Sequence, residues 1–256
     1  MRVGSIVCLC LGLLIAPLGA QGIGPGAAVP AVAGLPGLNG TYWQSDVVVQ
    51  NPGETATSVV FLLFPEIRNG EQVFEPMTSG SFSIPAHGQL TKTNIVQSVF
   101  GLFNVKGALS VISTGATVIV GSRTYTFGSD GGSYGQEVFG ILTKDRAWAP
   151  GLQNDGFYRS NIGIYVPPPL ASGQTLSFEI TLRDGGGSVI GTDTMEFSTG
   201  GMIQHSLSSF AGDTISSASV EVVCSDPGAV WYGYISRVDQ TSGDAVFRPL
   251  RGQDLQ

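Results

Sequence analysis

Over much of this 256-residue chain apolar and polar positions alternate with a period of two, the mark of strands. "TYWQSDVVVQ" sends Tyr42, Gln44, Asp46 and Val48 to one face and Trp43, Ser45, Val47 and Val49 to the other. "TSVVFLLF" and "TLSFEITL" read as the next strands, and in the latter Leu176, Phe178, Ile180 and Leu182 alternate with polar neighbours, as in a half-buried strand. "RDGGGS", Arg183 to Ser188, predicts a tight turn into "VIGTDTMEF", because Asp-Gly supplies the positive φ that hairpins require. Two further pairs, "ALSVIS" with "TVIVGSRTYT" and "SVEVVC" with "VWYGYISRV", complete the strand pattern. Only "NIVQSVFG" and "HSLSSFAG" read as helical, and each is short. Parallel crossovers need long helices, so antiparallel sheets are expected.

The pattern is used twice. "PGL" at Pro36 recurs at Pro150, "TYWQSDVVVQNP" answers to "GFYRSNIGIYVP", Phe100 answers to Phe210, and Ser-Arg closes an apolar run at Arg123 and again at Arg237. Anchors that keep their order at a nearly constant offset point to two copies of one fold. The first copy carries a longer excursion, "PEIRNGEQVFEPMTSG", which shortens the later offset. The expected fold is all-β: two tandem antiparallel β-sandwich domains from an internal duplication, with one short helical turn per copy. The copies span residues 35–147 and 148–256.

The rest of the chain reads as export and linkage. Arg2 precedes the uncharged run "VGSIVCLCLGLLIAPLGA", so residues 1–20 are expected to be a signal peptide cut after Ala20, with a retained anchor as the alternative. Residues 21–34, within "QGIGPGAAVPAVAGLPGLNG", read as a Gly/Pro/Ala linker. Cys8 and Cys10 fall in the signal segment, which leaves Cys224 as a buried small side chain without a disulfide partner. The destination is secreted, periplasmic or cell-surface, with no stable membrane span after cleavage. A formal charge of −7 and a pI near 4.7, with no basic run, argue against nucleic acid as a partner.

Candidate chemistry is sparse. Arg123 and Arg237 recur in both copies, and a guanidinium there either forks onto a carboxylate, sulfate or sugar hydroxyl, or closes a strand end on a loop carbonyl or on Asp46 or Asp239. Trp43, Tyr125, Tyr158 and Trp231 cluster at matching places and could stack on sugar rings if exposed; core packing is the rival. His87 and His205 do not align between copies, and no nucleophile with a base, carboxylate pair or metal-ligand spacing is present. No cofactor, no metal and no catalysis are expected.

A strand ending in Asn51-Pro52, a polar excursion, a strand near "IPAHGQ" and the ending "VIVGSRTY" together resemble a module of secreted bacterial proteins. Among named groups they are similar to the sensory-rhodopsin-transducer-like β-sandwich modules. That resemblance implies oligomeric binding domains, some of them carbohydrate-binding. The second copy departs from it, with Val166 before Pro167. The expected function is therefore non-catalytic binding of a glycan or a surface protein, with a homo-oligomer allowed. The alternatives are a structural assembly subunit and, last, a secreted hydrolase.

Overall fold

The computed structural model describes residues 22–24, 26–37, 40–212 and 214–252; the signal segment and its cleavage lie outside them. The first strands are β1 (Gly22–Gly24), β2 (Gly26–Pro36), β3 (Tyr42–Gln50), β4 (Thr57–Pro65), β5 (Ile67–Arg68), β6 (Glu71–Gln72), β7 (Met77–Thr78), β8 (Phe82–Ile84) and β9 (Gln89–Lys92). After the single-turn helix α1 (Ile95–Ser98) come β10 (Val105–Ser113), β11 (Val118–Phe127), β12 (Ser133–Glu137) and β13 (Leu142–Thr143). The later strands are β14 (Arg146–Asn154), β15 (Tyr158–Val166), β16 (Leu176–Asp184), β17 (Val189–Phe197) and β18 (Gly201–Ser206). A 3-10 turn at Leu207–Ser209 precedes β19 (Ile215–Cys224), β20 (Trp231–Asp239), β21 (Ala245–Pro249) and β22 (Arg251–Gly252). The chain is thus all-β with antiparallel sheets.

The pairing scheme occurs twice. β11–β3–β9 on the early side matches β20–β15–β18 on the late side, and β8–β4–β10–β2 matches β17–β16–β19–β14. Alternating residues fill a core in each group. Val47, Val49, Phe61, Leu63, Leu109 and Val111 pack in the first, and Ile162, Ile164, Phe178, Ile180, Val220 and Val222 in the second. The late group keeps two separate sheets. In the early group β2 pairs with β10 along most of its length and with β3 at Gly34–Pro36, which joins everything into one ten-stranded sheet.

β2 corrects the linker expected over residues 21–34. Its uncharged Ala and Val side chains suit a strand covered on both faces, and Ala28, Val29 and Val32 are buried there. Proline usually argues against an internal strand, but here Pro30 sits in a register shift, where Val29 pairs with Leu109 and Val32 with Gly107. The late strand repeats the device: Ala149 pairs with Val220 and Leu152 with Ala218 around Pro150. Pro30, and not Pro36, is therefore the counterpart of Pro150. The strands also divide earlier than residue 147, because β13 already pairs with β20 and Arg146 opens β14. In the turn after β16 the positive φ falls at Gly187, not at the Gly following Asp184.

The Asn-Pro and "IPAHG" signals are one structural lock. Asn51 is fully buried, and its amide nitrogen donates to the carbonyls of Thr55, Ile84 and Pro85 at 2.8, 3.3 and 3.0 Å. Its side-chain oxygen accepts from the Gly53 N–H at 3.0 Å.

The two groups meet face to face. Ala28, Phe64 and Ala108 pack against Tyr165 and Met202, and a second patch joins Ala33 and Trp43 to Val238 and Ala245. Tyr165 stacks on Tyr232 with centroids 5.8 Å apart, and its hydroxyl shares a 2.8 Å hydrogen bond with Ser110. The ring of Tyr234 lies over Gly163, where a Cβ would stand 2.1 Å from it. The excursion of the first copy clasps the second group: Ile67 enters the second core, Glu66 makes a parallel bridge to Met202, and Gln72 donates to the Gly200 carbonyl at 2.9 Å. Glu66 is buried yet compensated, by Arg68 at 2.7 Å and Lys106 at 2.9 Å.

Ile67→Ala should cost about 2–4 kcal/mol, since it empties a filled site in the core of the other group. A loss below about 0.5 kcal/mol in denaturant unfolding would show that the clasp contributes little. Burial pushes the phenols of Tyr165, Tyr232 and Tyr234 up from their ordinary value of 10.0. Their folded-state pKa is raised, so this contribution is whole below the unfolded value and is lost as pH climbs above about 10. The melting temperature should fall in that range, and Tyr165→Phe should fall less steeply. Equal slopes would remove Tyr165 from the account.

Candidate functional site

The Ser-Arg strand ends turn out to be occupied with their own surroundings. Arg123 is exposed; its Nη2 donates to the Ser133 carbonyl at 3.2 Å and meets Ser133 Oγ at 2.8 Å, while the guanidinium lies 4.8 Å from the Tyr125 ring centroid. Arg237 Nη1 approaches Gln153 Oε1 at 3.4 Å and sits 5.1 Å over the ring of Tyr158. The carboxylates expected as partners are committed elsewhere. Asp46 accepts from the Asn94 N–H at 2.8 Å, and Asp239 from the N–H groups of Thr241 and Ser242 at 2.7 and 2.9 Å. Tyr125 is buried and its hydroxyl accepts from Gln44 at 2.5 Å.

Trp231 offers a ligand nothing. It is 0% exposed and packs edge-on against Phe178 at 5.1 Å in the second core. Alternation along β20 sets Trp231 and Tyr232 on opposite faces. The structure buries both faces: one in the second core, the other between the groups. Cys224 lies buried in the same core. His205 Nδ1 meets Asp193 at 2.5 Å, and His87 Nε2 meets Glu54 at 3.1 Å.

Of the predicted residues, Trp43 lines a cleft between the groups, with 9% of its surface exposed. This cleft, of about 360 Å³, lies between the two apolar patches that join the groups, bordered by Met202 of one and Ala33, Trp43 and Val238 of the other. Leu35, Trp43 and Val238 form part of its apolar wall, while Lys106, Gln136, Arg159, Asn161, Gln204 and Ser236 supply polar groups. The geometry follows from register. On β15 the face turned to the first group carries Arg159, Asn161, Gly163 and Tyr165 at every second position. Their neighbours on β20 are Val238, Ser236, Tyr234 and Tyr232. The row therefore runs from the buried Tyr165 and the half-buried Tyr232 at one end to an arginine at the other.

Some cleft groups are engaged and some are not. Tyr234 Oη donates to Gln204 Oε1 at 2.8 Å, and Gln136 bridges the two groups through Ser236 Oγ at 3.1 Å. Lys106 is held by Glu66. Asn161 has no side-chain hydrogen bond and Arg159 no hydrogen bond or ion pair among the described residues. Burial alone pulls the Arg159 pKa below its ordinary value.

Sequence patterns missed this set because cleft residues come from strands far apart in the chain. One signal was available: Ser45 and Ser160 are both 0% exposed anchors, which puts Gln44 and Arg159 at matching positions where the copies differ in charge. Ser45 Oγ accepts from the Ala33 N–H at 2.8 Å, and Ser160 Oγ from the Gln153 N–H at 3.0 Å.

Given these contacts, Arg123→Ala and Arg237→Ala should each lower stability by no more than about 1 kcal/mol, the scale of exposed cation–aromatic and ion contacts. A loss above about 2 kcal/mol in equilibrium unfolding would restore the strand-end clamp.

No family model matches the chain, and no curated protein does. Solved structures give faint likenesses. A glycosyl hydrolase family 2 member from Bacteroides cellulosilyticus is 7% identical over 82% of this chain and 26% of its own, with a TM-score of 0.19. A putative beta-galactosidase from Bacteroides fragilis is 10% identical over 90% of this chain and 32% of its own, with a TM-score of 0.19. Beta-glucuronidase 2 from Bacteroides uniformis is 10% identical over 82% and 26%, with a TM-score of 0.20. The chain spans no more than 32% of the length of these enzymes, and likeness at this level carries neither fold nor activity over to it.

Proposed function

We propose that this protein is an exported, non-catalytic binding module and that its ligand, a saccharide, sits in the cleft between the two strand groups. The observation that carries this reading is the mixed lining of that cleft, with Trp43 and Leu35 on one side and Gln136, Asn161 and Gln204 around it. Sugar rings present apolar faces and hydroxyl edges together, so they call for an aromatic or aliphatic wall beside neutral amides. A volume of about 360 Å³ falls within the ordinary range for small-ligand pockets. The leader-like segment ending at Ala20 supports export. Among the described residues no helix is long and apolar enough to cross a membrane. Among the described residues the hydrogen bonds of the two imidazoles go to carboxylates, His87 to Glu54 and His205 to Asp193.

The test is a glycan array probed with the purified protein and two double variants. Gln136→Ala with Asn161→Ala removes cleft amides; Arg123→Ala with Arg237→Ala removes the strand-end guanidinium groups. Hits should weaken at least tenfold, about 1.4 kcal/mol, in the first variant and persist in the second. The reverse result would move the site to the strand ends. A blank array for the unaltered protein would end the saccharide reading.

A further inference from the structure

Arginines elsewhere in the described chain either have a partner among the described residues, as Arg237 has in Gln153 and Tyr158, or are exposed. Arg68 faces Glu66, and Arg146 and Arg183 share Glu221 at 3.0 and 3.6 Å. Arg248 donates to the Pro150 carbonyl at 3.0 Å, and Arg251 is exposed. Arg159 differs from all of these. It is half-buried, lines the cleft and has no acceptor among the described residues, which leaves its desolvation uncompensated by them. Leaving a guanidinium in this state is unfavourable unless something supplies the missing acceptor.

The surroundings say what kind of acceptor fits. The chain as a whole carries a formal charge of −7, yet none of the described residues lining the cleft is acidic. The other cation there, Lys106, is already bound to Glu66 at 2.9 Å. That leaves Arg159 as the uncommitted positive charge. One pleat along the same face of β15, Asn161 adds an unengaged amide, and across the pair with β20 stands Ser236. A planar fork beside an amide is suited to a two-oxygen or three-oxygen anion. The charge is also specific to one copy. At the matching place the first copy has Gln44, which is used up by Tyr125.

We infer that the saccharide is acidic, with a carboxylate or sulfate group held by Arg159 beside Asn161 and the sugar rings running toward Trp43. This rests on the reading of the cleft as a saccharide site, and the test separates the two.

Isothermal titration of the full protein would use trigalacturonate as the carboxylate probe, a carrageenan-derived galactose tetrasaccharide as the sulfate probe, and galactotriose as the neutral one. At least one acidic probe should bind tenfold or more tighter than galactotriose, and whichever does identifies the anion. Arg159→Gln should abolish that preference, so that the acidic probe and galactotriose bind the variant within about twofold of each other. Arg159→Lys, which keeps charge without the fork, should weaken acidic binding several-fold, and it decides the matter if the glutamine variant does not fold. Equal binding of neutral and acidic probes, or acidic binding indifferent to both variants, would overturn the inference and leave the saccharide reading standing. Neutral hits alone on the glycan array would do the same. No binding of the three probes together with a blank array would end both.

Discussion

A sheet with apolar residues on both faces has to be covered twice, and the sheet formed by β13, β20, β15 and β18 is of this kind. One face closes the second core through Ile162, Ile164, Trp231 and Ile235. The other presents Tyr165, Tyr232, Met202 and Tyr234, which water cannot cover at low cost. The first strand group supplies that second cover with small side chains, Ala28 of β2 and Ala108 of β10, so that the tyrosine rings fit against the sheet. The arrangement of the whole molecule depends on this contact. The Ile67 clasp and the compensated Glu66 are additions along its edge.

The same contact explains why the two copies contribute unequally to the cleft. Equivalent strands play unequal parts: β15 turns a mixed face toward the other group, while its counterpart β3 is drawn into hydrogen bonding with β2. Buried serines at matching positions, Ser45 and Ser160, keep each strand anchored to the neighbouring chain. The adjoining residues are then free to diverge. Gln44 became a partner for a buried tyrosine, and Arg159 lines the cleft.

Strands that obey simple alternation, such as Leu176 to Leu182, were legible in the sequence because one of their faces meets solvent. β2 was not. Its run of Gly, Ala, Val and Pro carries no polar alternation, since neither of its faces is wet, and its proline reads as a breaker until the register shift at Pro30 is seen. The repeated Ser-Arg pair misled in the opposite way. The two arginines are not structurally equivalent: Arg123 stands opposite Asp46 and Arg237 opposite Ser160. With Ser45 and Ser160 matched they fall one residue apart in register, on opposite strand faces, beside Tyr125 in one case and Tyr158 in the other. The cleft draws on unrepeated residues from β2, β3, β10, β12, β15, β18 and β20, and no local pattern brings Gln136 beside Ser236. Trp231 shows the limit of aromatic counting: its position on the alternating face, and not its type, sent it to the core.

Electrostatics gives the cleft its character. An acidic surface repels anions at long range, although salt confines that effect to about 8–10 Å. Inside the cleft the balance reverses, because the lining residues hold no carboxylate and Glu66 is consumed by Lys106 and Arg68. Arg159 could have been neutralised by its register neighbours, but these are Val238 on β20 and, two residues along its own strand, Asn161. Neither can take up the charge. The fold thus places a half-desolvated guanidinium where none of the described lining residues offers a counterion, and that imbalance is the ground for proposing an anion there.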